Sequence, residues 1–244
     1  MTEMISSTAT QMLFSHVVNK PEDDIDLGTA ALVVGEFEYP DIDVANYLAK
    51  LDALTERAQA LVGDDERHSK LQGLNRALFQ EAGYRGNEED YNDPRNSFIN
   101  EVIDRKIGTP ISLSVIYIEV GRRMGIDLVG VNFPGHFLVR YQGGDQSFIL
   151  DPFHLGMTLP ASELRSRVRD VLGADAELLP EHQEPATKRQ ILARMLTNLS
   201  VIYRRAGDFY RHIEVIERLL ILEPENNKLQ VELKRLRRCA QGLN

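Results

Sequence analysis

Between Ile111 and Val120 the chain leaves an α-helix almost no polar face: Ile111, Leu113, Val115, Ile116, Tyr117, Ile118 and Val120 are interrupted only by Ser112, Ser114 and Glu119. A helix that is apolar nearly all round is enclosed by other elements, not laid on a surface. Whatever this chain folds into must therefore wrap around residues 111–120. Thr109 supplies the cap, and Pro110 takes the first helical position, where its missing N–H goes unnoticed. Arg122 and Arg123 suit the negative end of the helix dipole, and Gly125 can stop the helix in a left-handed conformation.

Amphipathic helices precede this segment. Asp24 and its neighbours set up a helix over about Ile25 to Glu38, ended by Pro40; Asp41 or Asp43 caps a second through roughly Leu61, on the stripe Val44, Tyr47, Leu48, Leu51 and Leu54; a third runs from Ser69 to about Ala82. Gly83 to Asp93 is a polar, acidic loop. Asp93 as cap and Pro94 as first residue open a further helix that buries Phe98 and Val102 and whose Asn96 and Asn100 are candidates to line a cleft.

After Gly125 the period changes to that of strands: Leu128 to Phe133, Phe137 to Tyr141 and Ser147 to Leu150. A two-residue turn on Gly143-Gly144 pairs Gln142 with Asp145 and so places His136 opposite Asp151, on one face and with Cβ atoms about 5 Å apart. Leu159 to Leu172 reads as a helix and Gly173 to Thr187 as a linker. The expectation is an α+β domain over residues 1–180, helical in its N-terminal part with an antiparallel sheet, followed by an all-α unit over 186–244.

In that tail, Leu196, Leu199, Tyr203, Gly207-Asp208, Ile216, Leu219 and Pro224 follow the spacing of one tetratricopeptide unit of about 34 residues, with a capping helix from Asn227 to Ala240. A single repeat cannot bury its own faces, so it must dock on the first domain or on another chain. Charge agrees with docking. Residues 186–244 hold 12 Lys/Arg against 6 Asp/Glu, leaving 16 against 31 in residues 1–185.

The His136 and Asp151 pair is the supporting half of a nucleophile triad, the carboxylate orienting an imidazole that takes a proton. The missing half belongs at the start of the buried helix, where backbone amides and the dipole favour a thiolate and an oxyanion. Ser112 and Ser114 are the hydroxyls nearby, which leaves a Ser-His-Asp amide hydrolase open beside a purely structural His-Asp bond. With His154 the pair could also hold zinc or iron. Residue 154 lies past Pro152, so its direction is open, and no metal or cofactor is assigned.

Gly108-Thr109-Pro110 with its helix, Gly125-Ile126, Gly135-His136-Phe137 and Asp151-Pro152-Phe153 together resemble the transglutaminase-like (papain-like) fold, in which Cys at a helix start, His on one strand and Asp on the next form the active site. With the helical tail, and with Tyr91 to Ser97 and Pro110 to Ser114, the chain is similar to a bacterial two-domain family of transglutaminase-like and tetratricopeptide proteins, sometimes labelled invasion-regulator-like. That resemblance implies no particular reaction. Counting back from Gly125-Ile126, the Cys position falls on Pro110, which argues against an active transglutaminase. The expected role is capture of a peptide or protein partner in a cleft built from His136, Asp151, Asn96, Asn100, Pro110 and Phe153.

A net charge of −9 excludes a general nucleic-acid binder. Cys239, the only cysteine, excludes an internal disulfide and a cysteine-rich zinc site. Thr109 to Ile118 is too short and too polar to span a bilayer, and no Lys or Arg precedes Lys20, so the expectation is a cytoplasmic protein without membrane contact.

Overall fold

The computed structural model describes residues 2–63, 66–144 and 146–241, with side chains described from residue 9 onward except at 66–69. The apolar stretch forms helix α6 (Pro110–Arg123), buried at every position from Pro110 to Gly121. Its start is a reciprocal capping box: Ser112 N–H donates to Thr109 Oγ1 at 3.3 Å, and Thr109 N–H donates to Ser112 Oγ at 2.9 Å. Glu119 is the one carboxylate of the run and is 1% exposed. A lone buried charge is untenable, and the sequence supplies its partners one turn on: Arg122 at 3.1 Å and Arg123 at 2.5 Å.

Around α6 lie α2 (Leu27–Val33), α3 (Val44–Ala60), α4 (Glu66–Asn75), α5 (Ile99–Arg105) and α8 (Lys188–Ala206), with strands β3 (Leu128–Val131) and β4 (Leu138–Gly143) on another side. The four-stranded antiparallel sheet runs β3-β4-β5-β6, with β5 at Gln146–Asp151 and β6 at Met157–Leu159. The α+β character expected from the sequence is thus present.

Several elements differ from expectation. The helix expected over Ile25 to Glu38 is only Leu27–Val33, capped by Asp26, whose carboxylate accepts from Thr29 N–H at 2.8 Å. Beyond it the chain passes into turns, Gly35 N–H donating to the Leu32 carbonyl at 3.0 Å and Glu36 N–H to that of Val33 at 3.2 Å, and a Cβ on Gly35 would come within 3.1 Å of Phe98. The third helix starts at Glu66 and its last six residues, Arg76–Glu81, are π-helical. The acidic loop conceals β1 (Arg85–Gly86), which pairs in parallel with β2 (Ile107–Gly108) and so sits beside the start of α6. Pro94–Asn96 makes a single 3₁₀ turn, and α5 starts anew at Ile99. Helix α7 begins at Ala161, because Met157–Leu159 is taken by β6.

The hairpin register also shifts. Gly143 pairs with Gln146 and Val139 with Leu150, so Gly143 belongs to the strand and Gly144, at φ +61°, enters the turn. A Cβ at residue 143 would fall 2.0 Å from the Tyr141 hydroxyl, so only glycine fits beside the Tyr141 ring. By this register His136 lies diagonal to Asp151 and not opposite it, a slip of two positions that keeps both on one face.

The tail is a helical hairpin of α8 and α9 (Phe209–Leu222), turned at Gly207 in the left-handed conformation, followed by α10 (Asn227–Gln241). Leu192, Met195, Leu196 and Leu199 are buried in the same cluster as Leu32, Val34 and Ile118. Its basic side chains meet the acidic front: Arg211 pairs with Glu38 at 2.5 Å, Arg189 donates to the Lys20 carbonyl at 2.9 Å, and Lys188 to that of Asp23 at 3.0 Å. Helix α1 (Thr2–Val18) packs on α9 as well as α2, with Arg218 reaching Thr10 Oγ1 at 2.8 Å.

Because α6 packs against α2, α3, α4, α5, α8, β3 and β4, truncation there should be costly. Ile116→Ala, at a side chain 1% exposed, is expected to lower unfolding free energy by about 2–5 kcal/mol, read from urea denaturation; a loss under 1 kcal/mol would contradict the central placement.

Candidate functional site

The site grows out of two turns. Phe133-Pro134-Gly135-His136 closes on a His136 N–H to Phe133 carbonyl hydrogen bond of 3.1 Å, with Gly135 at φ +70°, which is the geometry of a type II turn with Pro and Gly at its centre. It ends with the His136 ring aimed across the sheet. On β5, Asp151 is the last residue before a 3₁₀ turn (Pro152–His154) that it caps, accepting from Phe153 N–H at 3.1 Å and His154 N–H at 3.4 Å. Pro152 at the first position and Leu155 in the left-handed region at φ 57° bring His154 back over the same carboxylate.

Asp151 has no solvent exposure, yet three side chains converge on it. His136 Nε2–H donates to Oδ1 at 3.0 Å, His154 Nδ1–H to Oδ2 at 2.8 Å, and Arg167 of α7 (Ala161–Leu172) to Oδ2 at 2.8 Å. Burial alone would push its pKa up; the hydrogen bonds from His136, His154 and Arg167 with the His136 charge outweigh it and hold the carboxyl well below the usual range. It is therefore an ionised, acceptor-only group. The Phe153 ring stands edge-on to His136 at 5.9 Å between centroids, and the two imidazoles stack at 6.0 Å. A Cβ on Gly86 would collide with the Phe153 ring at 2.5 Å, so β1 lies flush against it and joins the site to β2 and the start of α6.

The structure brings together His136, Asp151 and Phe153, and adds His154 and Arg167. Pro110 occupies the first position of α6, buried, with neither a thiol nor an N–H. The two serines do not join the site. Ser112 Oγ donates to the Asn96 carbonyl at 2.6 Å and Ser114 Oγ to the Pro110 carbonyl at 2.7 Å, so each hydroxyl proton is committed to backbone, as short polar side chains within helices commonly are. The cleft role expected for Asn96 and Asn100 also needs correction. Asn96 has no exposure and ties the loop to α6, donating to the Asp90 carbonyl at 2.8 Å and accepting from Asn87 at 3.1 Å. Asn100 is 4% exposed. No sequence cue points to Arg167, whose local signature is an i,i+4 pair with Glu163 at 3.1 Å.

With this geometry in view, the similarities to known proteins fall into place. Residues 45–197 match the Transglutaminase-like superfamily, and the chain belongs to that superfamily. More narrowly, it is 41% identical over 216 residues to a UPF0162 protein of Xylella fastidiosa, covering 87% of this chain and 77% of that one. A UPF0162 protein of Pseudomonas aeruginosa is 32% identical over 196 residues, 80% of this chain and 71% of its own. F-box only protein 21 of Homo sapiens is 28% identical over 159 residues, 56% of this chain and 25% of that protein. No solved structure matches. No helix among the described residues is long and apolar enough to cross a membrane.

Two outcomes follow from the hydrogen bonding. Asp151→Asn leaves Arg167 without its buried partner and should cost about 3–5 kcal/mol. Because the folded pKa is depressed, the contribution of Asp151 is complete above 3.8, the ordinary aspartate value, and is lost as pH falls below it. The stability gap between wild type and variant should accordingly narrow as the pH is lowered below that value, as thermal melts through the acid range would read. Ser112→Ala should cost about 1–3 kcal/mol, the penalty of leaving buried partners unpaired, and a fluorophosphonate probe should label neither protein.

Proposed function

We propose that this chain is a transglutaminase-like protein without an active-site nucleophile, and that it holds an extended segment of a protein partner over His136, Asp151 and Phe153. The observation that carries the reading is a His-Asp pair held at 3.0 Å beside a helix whose first residue is Pro110. The His-Asp pair that would support a thiol is present, and Pro110, at the helix start, can neither attack a carbonyl nor donate to one. Apolar surface supports capture: Tyr91, Leu155 and Met157 are 46%, 56% and 49% exposed, and all adjoin the Asp151 to His154 turn in sequence, in strand pairing or through ring contact. β6 forms an edge of the sheet, where an extended peptide can add as a further strand.

The tail extends this surface. We read α8 and α9 as one tetratricopeptide-type unit with α10 as its cap; Ser200 and His212 stand where that repeat usually has small residues, and they meet each other in a hydrogen bond of 2.9 Å. Between this hairpin and the Asn92–Arg95 turn lies a groove of about 710 Å³, lined by Tyr39, Phe98, Tyr203 and Arg205 among others. The partner is protein, with no role for nucleic acid or membrane, and the lone Cys239 suits the reducing cytoplasm.

A displayed peptide library panned against the intact chain tests this. Selected peptides should bind at least tenfold more weakly to His136→Ala and to Met157→Asp, with no amide or ester turnover by wild type. Turnover that vanishes in His136→Ala, or selected peptides indifferent to both substitutions, would sink the proposal.

A further inference from the structure

The convergence on Asp151 is more than a structural hydrogen bond requires. One nitrogen from each of His136 and His154 and one carboxylate oxygen of Asp151 lie within 4.8 Å of one another; His136 Nε2 stands 3.0 Å from Oδ1, and His154 Nδ1 stands 2.8 Å from Oδ2. Zinc holds nitrogen and oxygen ligands at about 2.0–2.2 Å in a tetrahedron, so ligand atoms in such a site stand a little over 3 Å apart.

Charge points the same way. Asp151, Glu163, which pairs with Arg167 at 3.1 Å, and Glu88, which stands 4.0 Å from His154 Nε2, are three carboxylates served by one guanidinium. The local balance is minus two while the imidazoles are neutral, which one divalent cation cancels.

We infer that His136, Asp151 and His154 form a binding site for a first-row divalent cation of the zinc class, with a fourth position open to solvent. The ion takes the place of the two imidazole protons that face the carboxylate, and each ring keeps its proton on the other nitrogen. For His154 that nitrogen is Nε2, which lies 4.0 Å from the Glu88 carboxylate; a carboxylate drawn closer there is the kind of partner that commonly orients metal-bound histidines. Arg167 and the Phe153 N–H hold Asp151 from behind, so the carboxylate is oriented without the metal. His154 is 41% exposed and His136 16%; the open position therefore faces solvent and takes water or a carboxylate or imidazole of a docked segment. The site does not depend on the partner-binding proposal, since the ion can be measured alone.

Full-length protein stripped with chelator and dialysed against Zn²⁺ should retain one ion per chain, counted by elemental analysis. Calorimetric titration should show affinity falling at least tenfold in His154→Ala and in His136→Ala, with His182→Ala, at a histidine remote from the cluster in sequence, unchanged. His154 lies at the surface, so its variant should keep the wild-type circular dichroism. Substituted Co²⁺ should give the intense visible absorption of a four-coordinate ion in wild type only. No stoichiometric binding by wild type, or binding that survives both histidine substitutions, would overturn the assignment.

Discussion

An ionised carboxylate without solvent exposure is the interaction on which the site depends. Asp151 sits at the end of β5, caps the turn that follows and receives His136 from one turn, His154 from another and Arg167 from α7. An isolated buried carboxylate would cost several kcal/mol, so each partner is held as much as it holds. The sheet, the two turns and α7 are thereby fixed to one another through one side chain.

Much of this was legible in the sequence because local rules and the global fold agree. The apolar run 110–120, its Thr-Pro start and its Gly125 stop each name the same helix. His136 and Asp151 were brought together by strand parity, and the meeting survives a wrong register because a slip of two positions leaves the face unchanged. The error itself turned on Gly143, which serves Tyr141 in the strand and not the turn, a steric fact with no signature in spacing. Arg167 was out of reach for a similar reason: its partner lies sixteen residues back across a strand and a turn, and a helix surface Arg looks alike whether or not a carboxylate waits beneath it.

Asn96, Ser112 and Ser114 illustrate the opposite failure. Polar residues near a helix start look available for chemistry, yet here they satisfy backbone groups that the closely packed loop would otherwise bury unpaired. The amides that might receive an oxyanion are similarly engaged: Ser112 N–H is bound by Thr109 Oγ1 and Leu113 N–H by the Thr109 carbonyl. The start of α6 has thus become a joint between loop and helix. Pro110, which requires no partner for an N–H it lacks, suits that duty better than a reactive residue would.

The contact of α1 with α9 has a topological consequence. The first and last thirds of the chain are joined covalently through the 173–187 segment and, independently, through Arg218 to Thr10, Arg189 to Lys20 and the shared apolar cluster. A molecule nicked between α7 and α8 would consequently migrate as one particle under native conditions and as two fragments in denaturant. The tail behaves as a noncovalent clasp on the chain's own beginning.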